Sequence, residues 1–373
     1  PEGAGAGTNL IGHGSSYTVA DIFDEVDPVT GGGLLADNGG QVPTVALKAS
    51  FDNPAFNTAD PAFLPADTLD LDGDGDTTEP VPFDGRGSGF ARNNGGFADL
   101  GAYELPSALI VTTDQDVVDA TDGLLSLREA LALANDSTAG AAEDGDADND
   151  GSSVDHITFH PSLAGSTLTL TQGQLVINSD VAIDGDLNDD DAPDISVDAA
   201  GNSRVLLVSG GTSEVDGMIV TGGNVANSFG GGIFVSNGAS LTIANSEITN
   251  NAAGSSGGGL GVYFGSQAQV VNSVVSDNST GASGGGIYNL GTLNVTGSSI
   301  VSNSAHSSGG GIASSLSGAT ATVTDSVISQ NMSSSGGGGG IQNSYGSRLE
   351  VLNSSILNNT ARFLGGGRGN GTG

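Results

Sequence analysis

Apolar residues recur along the second half of the chain at two spacings. Over a few residues they alternate with polar ones, as at Leu241 and Ile243 or Leu293 and Val295. A spacing of two places alternate side chains on one face of a strand. Over a longer interval the whole pattern returns. The apolar residue after each glycine run is Ile233, Leu260, Ile287, Ile312 and Ile341, at steps of 27, 27, 25 and 29 residues. A further glycine run, Gly365 to Gly367, falls on the same beat. Three more apolar columns keep it: Leu241, Ala268, Leu293, Ala321, Leu349; Ile243, Val270, Val295, Val323, Val351; and Ile248, Val275, Ile300, Ile328, Ile356. Between them lie a turn column (Asn245, Asn272, Gly297, Asp325, Asn353) and a serine column (Ser246, Ser273, Ser298, Ser326, Ser354).

A unit of this size cannot bury its own apolar face, so the units must stack. Each reads as about three short strands separated by Gly, Asn, Asp or Ser turns. The pattern predicts an all-β fold, a parallel β-helix in which each unit makes one coil and adds about 4.8 Å along the axis. A β-propeller would need four strands per blade and a longer period. The glycines are expected at corners, where positive φ is needed, and an Asn column is expected to hydrogen-bond along the axis. A phosphate-cradling loop needs a following helix and a lysine, but no helical pattern follows these runs and Lys48 is the only lysine.

Upstream, "SLREALALAN" (126–135) carries a helical pattern, with Leu127, Ala130, Leu131 and Ala134 on one face. Ser126 and Glu129 fit a capping box. Such a helix is well placed to cover the first coil, whose open edge would otherwise invite aggregation.

Composition sharpens this picture. There are 63 glycines in 373 residues without a Gly-X-Y period, which excludes collagen. Hydrophobic residues at 36% suffice for a thin continuous core, so disorder is not expected. Eight Lys+Arg against 43 Asp+Glu leave a net charge of −35, which makes nucleic acid and anionic membranes poor partners. Cysteine is absent, so disulfides and thiolate metal sites are excluded. No apolar run approaches the ~18 residues of a membrane helix, so no membrane insertion is expected. The chain begins without Met or a signal peptide and reads as a mature product, a fragment or a segment of something longer.

Several stretches match a known pattern. "VTTDQDVVDATDGLLSLREALALAN", "DHITFHPSLAGSTLTLTQGQLVINSDVAIDG" and "GMIVTGGN" with its following "GGGI" resemble the CSLREA-type opening of secreted bacterial β-helix proteins, with Leu125 at the position of the family's Cys. The later coils resemble polymorphic outer-membrane-protein repeats, without the phenylalanine that often precedes their Asn. "TNLIG", "LLADNGGQVPTVAL", "DGRGSGFAR" and "ADLGAYEL" resemble the closing, choice-of-anchor-type segment of the same proteins. The resemblance implies a right-handed, pectin-lyase-like solenoid with one capping α-helix, secreted and extracellular or at the cell surface. It divides the chain into a closing segment of a preceding unit (1–106), an opening segment (107–200) and coils (201–373). A closing segment before an opening one reads as one period of a longer array, cut out of phase. The junction would be covalent, or made head to tail between separate copies. A heterologous contact of that kind builds an open filament unless it closes into a ring.

The acidic residues cluster. Asp70, Asp72, Asp74 and Asp76 alternate, with Gly75 at the bend and Glu79 nearby. Oxygens at positions 1, 3 and 5 with glycine at 6 follow the start of an EF-hand-like Ca2+ loop. Val81 stands where that loop has its bidentate Glu. Asp144, Asp146, Asp148 and Asp150 repeat the pattern, and a third acidic loop begins at Asp184 and Asp186. All are candidate Ca2+ ligands beside the plainer reading of solvated acidic loops. His13, His156, His160 and His306 are scattered, and Arg86 and Arg92 are expected to pair with nearby acids. Phe234, Tyr263, Tyr288 and Tyr345 do not form one column, which predicts packing or scattered exposure rather than a sugar-stacking surface.

A uronate lyase wants calcium and a cationic base, but the coils offer only Arg348 and Arg362. A hydrolase wants two carboxylates within about 10 Å, and the coil acids Glu247, Asp277, Asp325 and Glu350 are dispersed. The expectation is therefore a non-enzymatic, calcium-stabilised structural subunit of an extracellular filament, assembling with itself. The alternatives are an adhesin that binds glycans or a partner protein along the β-helix face, with extracellular polysaccharide as the further partner, and a polysaccharide-active enzyme.

Overall fold

The structure, a computed structural model of the chain, describes residues 109–119, 124–135, 154–188, 190–362 and 370–372, with positions 23, 30, 35–36 and 44–45 before them. The chain forms two compact units, residues 1–107 with 148–150, and residues 108–147 with 151–373. In the first, Leu35–Ala36 pairs antiparallel with Thr44–Val45. The second is a parallel β-helix.

One regular coil shows how it is built. Leu260–Val262 lies in a first sheet, Gln267–Val271 in a second, Val274–Ser276 in a third and Ser279–Thr280 in a fourth. Each strand pairs in parallel with its equivalents one coil before and one after, so Leu260 lies opposite Ile233 and Ile287. The four sheets hold eight, nine, eight and six strands. The second runs unbroken from Leu109–Val111 to Arg348–Leu352. Four strands per coil replace the three expected. The fourth has two residues, too few to show a period of two.

The apolar columns line the interior. Ile233, Leu260, Ile287, Ile312 and Ile341 are fully buried, and so are Ile243, Val270, Val323, Ile248, Val275, Ile300 and Ile328. Large and small side chains alternate along one column, with Leu241, Ala268, Leu293 and Ala321 stacked in register. Burying one such Leu or Ile side chain contributes about 1.5–3 kcal/mol.

The glycine runs have two causes. Gly284 sits at φ +71°, in the left-handed region. Gly285 and Gly286 do not. A Cβ on Gly285 would meet the Gly310 carbonyl oxygen at 2.4 Å, and one on Gly286 the Gly311 oxygen at 2.8 Å. The first glycine turns the corner, and the next two let neighbouring coils stack backbone on backbone. Gly286 N–H donates to the Gly310 and Gly311 carbonyls at 3.1 Å.

Two side-chain ladders run along the axis. Backbone N–H groups of Ser246, Ser273, Ser298 and Ser326 each donate to the serine hydroxyl one coil on, at 3.1 Å. The asparagine ladder does not run through the turn column that begins at Asn245. Asn245, Asn272, Asp325 and Asn353 hold positive φ at a corner, where Gly297 also sits, because Asn and Asp tolerate that region. The ladder is instead Asn251, Asn278, Asn303, Asn331 and Asn359. Asn278 N and Nδ2 both donate to Asn303 Oδ1 at 3.0 Å, and Nδ2 also reaches Ile248 O at 2.8 Å. Four of the five Asn side chains are buried. Burial is tolerable because donors and acceptors are matched from coil to coil.

The capping helix is Leu127–Ala134, close to the expected span, with the capping box of Ser126 and Glu129 in place. Leu127, Ala130, Leu131 and Ala134 are buried against Leu109–Val111, Asp155–Phe159 and Leu175–Ile177, the strands that open the stack. Asp116 anchors it. Arg128 Nε donates to the Asp116 carboxylate at 2.6 Å, and Thr171 and Gln172 N–H groups donate at 2.6 and 2.8 Å. Arg128 also donates to the Gly173 and Gln174 carbonyls. Burial pushes the Asp116 carboxyl up, but these hydrogen bonds and the Arg128 charge outweigh it and hold the group below its ordinary value.

Candidate functional site

Three regions of the described structure could carry function: the third acidic loop, the dispersed coil acids and an aromatic cluster. The proposed Ca2+ ligands Asp70, Asp72, Asp74, Asp76, Glu79, Asp144, Asp146, Asp148 and Asp150 lie outside the described residues, as do His13, Arg86, Arg92 and the run at 365–367.

Asp184 ends a second-sheet strand and Asp186 opens the loop that follows. Their carboxylates accept backbone hydrogen bonds. Asp184 Oδ1 takes Asp186 N–H at 3.0 Å, and Asp186 takes Asp190 and Asp191 N–H at 3.2 and 2.8 Å. Asp194 Oδ2 closes the loop on Leu187 N–H at 3.0 Å. These are the loop's own turn bonds. Asn245 Nδ2 ties the loop to the coils through Asp191 and Asp216 at 3.3 and 3.0 Å. Among the described residues, no group of three or more His, Asp or Glu side chains is gathered in a way that could hold a metal ion.

The coil acids stay apart in register. Glu247 lies opposite Ile219 and Val274, and Glu350 opposite Thr322. Asp277 and Asp325 occupy positive-φ corners. Arg348 pairs with Glu350 at 3.4 Å on an exposed strand. His156 is exposed, and His160 caps a short helical turn by accepting from Ser162 N–H at 3.2 Å.

Three of the four aromatic residues pack together, around a fourth ring that the columns do not contain. Phe234 and Tyr288 are two coils apart in one outward column, with Gly261 in register between them. A Cβ on Gly261 would meet Phe234 Cδ2 at 3.1 Å. Phe229 bridges the gap. Its ring stacks on Phe234 at 6.0 Å and on Tyr288 at 5.8 Å, the latter within 5° of parallel. Tyr263 meets Phe229 at 6.2 Å and Phe234 edge-on at 5.9 Å. Column-counting missed the cluster because Phe229 comes from the turn before the glycine run, outside any strand register.

Arg204 lies beneath, its guanidinium 5.1 Å from the Phe234 ring centre. It donates to Gly230 O, Phe229 O, Ser228 Oγ and Gln174 Oε1. Burial lowers its pKa, yet an arginine stays charged. It therefore fixes the turn that presents Phe229. Burial pushes the Tyr288 phenol up, a hydrogen bond with Ser315 works the other way, and Tyr345 adds a small upward push.

Residues 202–371 match a family model described as a right handed beta helix region. The coil stack is a right-handed parallel β-helix. No curated protein and no solved structure matches the chain. The fold is compatible with a cell-surface repeat protein or adhesin, and function on such a scaffold has to be argued from its surfaces. Among the described residues, no helix is long and apolar enough to cross a membrane.

Proposed function

We propose that the chain is a structural subunit of an extracellular filament or cell-surface fibre, adding end to end, with Ca2+ stabilising its acidic loops. The observation that carries this reading is the difference between the two ends of the coil stack. The helix covers the first coil. The last described coil leaves its interior half-buried on the second and third sheets, while on the first sheet Asn370–Thr372 pairs antiparallel with Ile341–Ser344 and Ile341 stays fully buried. Leu349, Val351 and Ile356 are only partly buried, whereas their register partners Ala321, Val323 and Ile328 are at most 2% exposed. Ser354 and Asn359 are the last acceptors of the two ladders among the described residues. An apolar coil edge of this kind favours addition of another β-layer. The occupant we propose is the closing-type segment 1–106 of a second copy.

Sedimentation velocity over a range of concentrations tests the proposal. The full chain should associate, and Ile356→Asp should leave it monomeric while far-UV circular dichroism is retained. A wild-type chain that stays monomeric at every concentration contradicts it. Calcium is tested separately. Chelator should lower the melting temperature of the acidic segments ahead of the coils, and a melting curve unchanged by chelator would remove calcium from the account.

A further inference from the structure

Over five consecutive coils, one side of the stack carries no charged residue of its own, the buried Arg204 of the preceding coil lying beneath Phe234. The five segments that form the glycine corner, the first-sheet strand and the next turn are residues 226–240, 254–267, 281–292, 306–320 and 334–347. None contains Asp, Glu, Lys or Arg, in a chain of net charge −35. The acids of the same coils, Glu247, Asp277, Asp325 and Glu350, all fall outside these segments.

The same side holds an apolar stripe. Half-buried Phe234 and Tyr288, exposed Tyr263, Phe264 and Tyr345, and exposed Leu316 come from five consecutive coils, so the stripe spans about 19 Å along the axis. Phe264 is 65% exposed, Tyr345 81% and Tyr263 43%. The Phe229 cluster and the buried Arg204 hold part of the stripe rigidly, so little ordering is needed on binding. Polar, uncharged groups share these segments: Asn237, Gln342 and Ser315, which hydrogen-bonds the Tyr288 phenol.

We propose that this side binds a neutral, chain-like polysaccharide. Sugar rings offer apolar C–H faces to aromatic rings and hydroxyls to amides and phenols, which is the alternation found here. An anionic polysaccharide would be repelled by the field of the whole molecule, and a basic partner would find no carboxylate on this side. A narrow, long stripe suits a linear chain. The proposal rests on a different face from end-on assembly, so each can fail without the other.

Affinity electrophoresis of the full chain tests it, since a strongly anionic protein migrates well in a native gel. The gels would contain a neutral β-glucan, a galactomannan, a xylan or polygalacturonate. At least one neutral polymer should retard the chain and polygalacturonate should not. The triple variant Tyr263→Ala, Phe264→Ala, Tyr345→Ala should weaken retardation at least about tenfold. Tyr345→Phe, which keeps the ring, and Met332→Ala, on the fourth sheet, should bind as wild type. The proposal is overturned if no neutral polymer retards the chain, if only polygalacturonate does, or if the triple variant binds unchanged. It is equally overturned if the triple variant loses self-association while no polysaccharide binds, which would make this side a contact between copies.

Discussion

Asn278 shows what a single residue does in this molecule. Its Oδ1 accepts from Asn251 N and Nδ2, and its Nδ2 satisfies Ile248 O and Asn303 Oδ1. Asn278→Ala strands at least two buried polar groups and should cost about 2–5 kcal/mol, read by guanidinium unfolding. A cost below about 1 kcal/mol would mean the ladder is incidental. Glycine can be tested in the same way, because its two roles separate. Gly265 has φ +79° and open space around its Cβ position, whereas Gly285 faces the Gly310 oxygen. Gly265→Ala should cost about 1–2 kcal/mol of backbone strain, and Gly285→Ala at least about 3 kcal/mol because two coils must part. Equal costs would contradict the division of labour.

At the scale of elements, the sequence disclosed what repetition and periodicity record. The inward columns from Leu241 to Ile356 and the helix with its capping box stand where the pattern puts them. The fourth strand and the column of the Asn ladder were missed for a physical reason. Asn251, Asn278, Asn303, Asn331 and Asn359 each follow a positive-φ residue that varies in type: Asn250, Asp277, Ser302, Gln330 and Asn358. A fixed Asn after a variable left-handed residue was the available signal. The aromatic cluster was illegible because it joins a turn residue, Phe229, to strand residues through a gap left by Gly261.

The cap also makes a pH prediction. Asp116 lies below its ordinary value when folded, so its contribution is complete above the unfolded value of about 3.9. It is lost as pH falls through the folded value. Hydrogen-exchange protection of residues 124–135 should therefore weaken only below about pH 4. Asp116→Asn should reduce that protection at neutral pH and flatten its dependence on pH. Protection in Asp116→Asn equal to wild type at both pH values would show that the ion pair does not hold the cap.

At the scale of the whole molecule, the coil stack is a short rod with one closed and one half-open end, an aromatic side whose five segments carry no charge, and acids elsewhere. Copies carrying a charge of −35 repel one another, and salt screens that repulsion, with a Debye length of about 8 Å at physiological ionic strength. End-on association should strengthen as monovalent salt rises, followed by light scattering. Association that weakens with salt would mean that charge pairing, not the apolar coil edge, joins the copies. Electron microscopy of the full chain at high protein concentration tests the central claim most directly. The account predicts rods joined end to end with a constant axial repeat, shortened to single particles by Ile356→Asp. Isolated short rods alone, or side-by-side clusters indifferent to Ile356→Asp, would contradict it.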